Sequence, residues 1–305
     1  MSLPNAIGLD PAERSAIMEQ FGVSTQQVER DHLISHVLGS LSAMEGSDEL
    51  VFFGGTALSR TSLPNLRLSE DIDLITKTNR SQMAARIMEA LDNSLARTHG
   101  QVTWNKALNA TKGSEPSVLR VGETGVQIQL LSADGYPNWP TEISDLEQRY
   151  SDAPAARLTV LTQASFVAAK TAAWMDRSSP RDLYDLWALA EQGSIDHEAL
   201  DVYKRHGPTG SRPSGWVFKT YPSEDEWNEY LQPQGRAVTQ LPQPRAPTRT
   251  LASVCLAGRQ QPLIVELDHV PVPTLDGVVG RSAADVSPDV LRCRRTQDPG
   301  GRLVG

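Results

Sequence analysis

The chain of 305 residues is 39% hydrophobic and 22% charged, enough for one large or two ordinary domains with a sizeable core. Its formal net charge of -8, with a pI near 5.3, argues against a general nucleic-acid coat but leaves room for a local basic groove. Cys255 and Cys293 form no CxxC pair, no apolar run is long enough to span a membrane, and the N-terminus reads as neither signal nor anchor, so a reducing cytoplasmic setting is expected.

In chain order, Asp10-Pro11 with Glu13 predicts a helix start, and Ser24 with Gln27 predicts a second, of capping-box type. Ile34, Val37, Leu38 and Leu41 fall at i, i+3, i+4 and i+7, an amphipathic helix leading through Gly46-Ser47 into a short strand, Leu50-Val51-Phe52-Phe53. His32 and His36 stand one turn apart on that helix. With no HExxH and no third ligand in view, they read as packing or surface residues. After a strand at Asp71–Ile75, Asn79-Arg80-Ser81 opens a helix whose apolar face carries Ala84, Ile87, Met88, Leu91 and Leu95. Strands are expected at 102–104, 118–121 and 126–131. Pro137, Pro140 and Pro154 mark a loop region over about 132–157, where sheet gives way to helices. One helix is expected over 162–174, another after Ser178-Ser179-Pro180, and a short one after Ser223. The expected division is 1–150 for a sheet domain with N-terminal helices, 151–232 for a helical domain, and 233–305 for a poorly ordered or irregular tail. The pattern predicts an α+β fold, a mixed sheet with flanking helices followed by a helical C-terminal part.

The chemistry concentrates in Leu50–Thr76. The apolar strand stops at Gly54-Gly55, and Thr56 to Arg60 begins a helix. Backbone N–H groups at such a turn suit a phosphate, although no GK[ST] follows and it is not a P-loop. On the next strand Asp71 and Asp73 share a face, and two carboxylates so placed repel unless a cation lies between them. Either feature alone is weak. Together they put phosphate-binding amides beside a metal-binding carboxylate pair, the arrangement nucleotidyl transfer needs.

Three stretches then resemble the AbiEii-type nucleotidyltransferase toxins, a family related to the mycobacterial MenT toxins. They are Gly54-Gly55-Thr56-Ala57-Leu58, Arg67-Leu68-Ser69-Glu70-Asp71-Ile72-Asp73-Leu74 and Arg181-Asp182-Leu183-Tyr184-Asp185-Leu186, and the resemblance covers roughly residues 28–232. It implies a DNA polymerase β-like nucleotidyltransferase core and a toxin–antitoxin system with a cognate antitoxin encoded nearby. It further implies an NTP substrate, a Mg²⁺ (or Mn²⁺) cofactor, and an acceptor hydroxyl, best matched by the tRNA 3′ end, whose modification blocks translation. Carried over by motif, Gly54, Gly55 and Thr56 would form the phosphate loop, and Asp71 and Asp73 the metal ligands. Lys170 would reach triphosphate oxygens, Asp182 or Asp185 would be the later acid, and Arg67 and Arg181 would contact phosphate. Ser69, two residues from Asp71, would be a site where an added negative charge blocks nucleotide or metal.

Two features depart from the polymerase β-like pattern. The strand that should carry a third carboxylate offers Gln127 and Gln129, and an amide cannot take a proton at neutral pH. Beyond Leu231 no periodic helix is legible. A nucleotidyltransferase acting on a small molecule or protein, and a catalytically inactive nucleotide-binding regulator, are the alternative readings.

Overall fold

The computed structural model describes residues 8–213, 217 and 222–235. The tail expected over 233–305 lies, beyond Gly235, outside the described residues.

Local signals place the first helices. The Asp10 carboxylate accepts from the N–H groups of Ala12 and Glu13 to start α1 (Pro11–Phe21), and Ser24 accepts from Gln27 N–H to start α2 (Thr25–Ala43). The chain then runs β1 (Leu50–Phe53), α3 (Gly54–Ser59), β2 (Asp71–Thr76), and α4 (Arg80–Thr98), capped by Asn79. It continues through β3 (Val102–Trp104), β4 (Ser117–Val121), β5 (Thr124–Ser132), β6 (Thr141–Leu146) and β7 (Ala156–Leu161). The helices α5 (Gln163–Arg177), α6 (Pro180–Glu191), α7 (His197–His206) and α8 (Glu224–Leu231) follow.

The strands form one mixed sheet in the order β3-β4-β5-β2-β1-β7-β6. The strand bearing Asp71 and Asp73 is therefore central, antiparallel to β1 and parallel to β5. Its other face, Ile72 and Leu74, is fully buried, together with Phe52 of β1 and Ile128 and Leu130 of β5. Helix α2 lies against α4, β5 and β7, while α5 packs on α6 and α7, and α6 on α8. One continuous apolar core runs from Leu33 to Leu231 through both sheet and helices.

Two expectations need correction. The region read as loop over 132–157 contains β6, an edge strand paired only with β7 among the described residues. Its prolines flank it, and exposed Thr141, Glu142 and Ile143 (64% exposed) erase the alternation that marks a half-buried strand. The sheet then continues into β7, past the boundary expected at residue 150. His32 and His36 are buried, in keeping with packing roles, and His99, at the end of α4, folds against them as a third imidazole that their spacing did not announce.

Candidate active site

The pairing of β1 with β2 sets Phe53 opposite Asp73, so the turn that follows Phe53 must pass over that carboxylate. Gly54 does so with φ +79°, a left-handed conformation costly for a side-chain-bearing residue, and a Cβ there would collide with Asp73. Gly55 is nearly as confined, because a Cβ would come within 3.0 Å of Ser69 Oγ and 2.9 Å of the Arg67 guanidinium. Thr56 is buried, and its hydroxyl donates to the Asp71 carbonyl, tying the start of α3 to β2. Across the sheet, the β2–β5 register puts Gln127 beside Asp71 and Gln129 beside Asp73, with the Gln129 amide donating to the Ser114 carbonyl. Among the described residues the carboxylates of Asp71 and Asp73 have no hydrogen bond or ion pair. Burial raises both pKa values. For Asp71 the neighbouring Glu70 adds to the rise, and for Asp73, pushed up to about 6, Asp71 does. Two uncompensated, half-buried carboxylates side by side are the oxygen donor set of a hard divalent cation, and the residues fit one.

The facing wall is built by the α5–α6 corner. Ser178 closes α5 in the left-handed region (φ 49°), and Pro180 starts α6 two residues later. That tight corner folds Lys170 and Arg177, two turns apart on α5, onto the start of α6. Asp182, 0% exposed, receives Arg177 Nε and Nη2 at 2.7 and 2.9 Å and Lys170 Nζ at 3.2 Å. Asp185, 2% exposed, receives Lys170 Nζ at 2.7 Å and a two-pronged Arg67 contact at 2.7 and 2.8 Å. Burial alone would raise both acids, but the cations outweigh it: Asp182 is lowered by Lys170 and Arg177, and Asp185 is held at about 2 by Arg67 and Lys170. Arg67 also donates to the Gln234 side chain at 2.8 Å, and Leu68 N–H to the Gln234 carbonyl at 3.1 Å. The two walls enclose a cleft of about 510 Å³ reaching from Gly55, Asp71 and Asp73 to Lys170, Arg177 and Arg181. A second cleft of about 290 Å³ adjoins it, shares Asp71 and Gln127, and is lined by Arg30 and Arg120.

The profile of the family described as the AbiEii nucleotidyl transferase toxin of type IV toxin–antitoxin systems matches residues 36–247, more than half the chain. The chain belongs to the AbiEii family. Its fold is that of MenT4, a nucleotidyltransferase toxin from Mycobacterium tuberculosis H37Rv, at a TM-score of 0.59 and 21% identity over 79% of this chain and 87% of that one. A candidate nucleotidyltransferase from H. pylori aligns at a TM-score of 0.45 and 15% identity, over 77% and 95% of the two chains. No curated protein matches the chain. AbiEii membership implies an NTP substrate and a cognate antitoxin. Among the described residues no helix is long and apolar enough to cross a membrane.

Of the residues that the AbiEii motifs single out, Gly55, Arg67, Ser69, Asp71, Asp73, Lys170, Arg181 and Asp182 all line the larger cleft. Gly54 lies against Asp73 at its edge, whereas Thr56 and Asp185 are turned inward. Arg67 is spent on Asp185 and Gln234. Arg181 has no ion pair among the described residues and lies over the Tyr230 ring, 5.7 Å from its centre. Sequence reading missed Arg177, which sits in the last turn of α5 with its side chain 60% exposed. Its spacing of seven from Lys170, one helix face, was the available signal.

Proposed function

We propose that this AbiEii member transfers an NMP from an NTP to the 3′-terminal hydroxyl of tRNA, with Asp71 and Asp73 as ligands of Mg²⁺ or Mn²⁺. The observation that carries this reading is the contact between the Gly54 turn and the bare Asp71–Asp73 pair, at the foot of a cleft walled by Arg177, Arg181 and Lys170. Bound there, a divalent cation would polarise the α-phosphate and offset charge on the departing pyrophosphate. The chain's own residues do the rest. The Gly54-Gly55 turn can pass this close to Asp73, Ser69 and Arg67 because it carries no side chains, which brings its backbone beside the carboxylate pair, and Arg177 and Arg181 would meet the triphosphate's negative charge from the opposite wall. Lys170 reaches the cleft but stays paired, so with Asp182 and Asp185 it positions the α5–α6 corner. Both acids are held ionised by their cations and have little affinity for a proton, which makes them poor bases. With glutamines on β5, the acceptor's proton passes to solvent. A loose phosphoryl-transfer transition state tolerates this, because positioning and charge stabilisation dominate its catalysis. In the adjoining cleft Arg30 is paired with Glu70 at 3.3 Å, and Arg120, which has no ion pair among the described residues, would contact an acceptor phosphate.

Incubation of the protein with Mg²⁺, total tRNA and each α-labelled NTP in turn tests the reading. Label should enter tRNA from wild type and fall to background in Asp71→Ala. Label in small molecules or in protein instead would redirect the acceptor. Nucleotide binding with no transfer to any acceptor would favour the inactive regulator that Gln127 and Gln129 suggest.

A further inference from the structure

His32 and His36 on α2 meet Asp152 from the β6–β7 connection and His99 at the C-terminal cap of α4. Three donor atoms lie almost equidistant. His36 Nε2 is 3.3 Å from His32 Nε2, His32 Nε2 is 3.0 Å from Asp152 Oδ2, and His36 Nε2 is 3.3 Å from the same oxygen. Donors on a tetrahedral zinc ion, with bonds of about 2.0–2.1 Å, are separated by about 3.3 Å. A ring nitrogen of His99 completes a group in which the histidine donors all lie within 4.8 Å of one another.

The protonation pattern points the same way. His99 Nδ1 is 2.7 Å from Thr98 Oγ1, the outer hydrogen bond that fixes the tautomer of a ligating imidazole, and His99 Nε2 is buried with no partner among the described residues. Two ring nitrogens and a carboxylate oxygen converge at 3.0–3.3 Å, the mutual spacing of donors around one small cation. Burial, followed by the neighbouring histidines, lowers the pKa of His36 and lowers that of His99 to about 4, favouring the neutral form that metals bind.

We propose that His32, His36, His99 and Asp152 form a structural site for a tetrahedral transition-metal ion of the Zn²⁺ class, separate from the Asp71–Asp73 pair. Three imidazoles and one carboxylate suit Zn²⁺ and not Mg²⁺. The ion would join α2, the end of α4 and the β6–β7 connection, three elements distant in sequence. It would also sit beside Asp31, which with Arg60 forms a buried ion pair at 2.7 Å behind α3.

The test uses tag-free, chelator-stripped full-length protein titrated with Co²⁺ and then Zn²⁺. The expected result is one intense visible Co²⁺ spectrum of tetrahedral type per chain, displaced by Zn²⁺ and kept in Asp71→Ala. Affinity should fall at least tenfold in His36→Gln, His99→Gln and Asp152→Asn. Zn²⁺ should raise the Tm of wild type and not of His99→Gln, a change at a partly buried helix end that circular dichroism should show still folded. Absence of the tetrahedral spectrum would overturn the proposal, as would a Co²⁺ signal lost in Asp71→Ala but kept in His36→Gln and His99→Gln.

Discussion

Asp185 is clamped between Arg67 and Lys170, and their charges hold it at about 2, against 3.8 for a free carboxyl. Because the folded value is the lower one, the pairing contributes its stability above about pH 4 and loses it as pH falls through about 2. The difference amounts to roughly 2 kcal/mol. Asp185→Asn is expected to lower stability at neutral pH and flatten the acid side of the profile, as measured by urea unfolding at a series of pH values. Arg67→Ala should cost more, about 3 kcal/mol, because it strips a buried carboxylate of its two-pronged partner. At the same scale, Arg177 and Arg181 carry opposite expectations. Arg177→Ala should both lower transfer and destabilise the corner, since Asp182 loses two hydrogen bonds. Arg181→Ala should raise the KM for NTP with little change in unfolding midpoint. Parallel kinetics and melts separate the two.

Helix α3 is only six residues long, and its value lies in where it starts. Gly54→Ala must accommodate both a left-handed backbone and a Cβ driven into Asp73, so transfer is expected to fall at least tenfold, about 1.4 kcal/mol. Gly55→Ala, which needs only small shifts of Arg67 and Ser69 side chains, should cost less, and initial rates of label transfer rank the two. Elements with a strong local signal were legible in the sequence: α1, α2 and α4 from their Asp, Ser and Asn caps, and β2 from alternating Asp and Ile/Leu. The helix α7 carries the same kind of signal, an Asp196 cap and a buried stripe of Ala199, Leu200, Val202 and Tyr203, but at ten residues it is short and went unread. The site shows the same split. Asp71 and Asp73 are adjacent on one strand and could be read directly. The fate of Arg67, consumed by Asp185, depends on a contact between residues far apart in the chain, and His99 joins His32 and His36 only when the end of α4 packs against α2. Local pattern carries no record of such meetings.

At the scale of the molecule, a net charge of -8 coexists with a cleft system containing Arg30, Arg120, Arg177 and Arg181. These arginines share the clefts with Glu70, Asp71, Asp73, Glu123, Asp182 and Glu226, so any acceptor contact is local rather than the work of a broad basic surface. If two phosphates of the acceptor are engaged, the KM for tRNA should rise about five- to tenfold between roughly 50 and 200 mM salt, and Arg120→Ala should flatten that slope. Steady-state kinetics across salt concentrations measure it. The Gln234 contacts extend this whole-chain view into time. Residues 67 and 68, immediately before the aspartate strand, are gripped by a residue much later in the chain. A ribosome making this protein releases Asp71 and Asp73 early, but the segment that fastens their approach loop arrives only after residue 234 has been added. A chain cut before Gln234 is therefore expected to lose the hold on that loop and with it transfer, which label incorporation by a truncation ending at residue 231 measures.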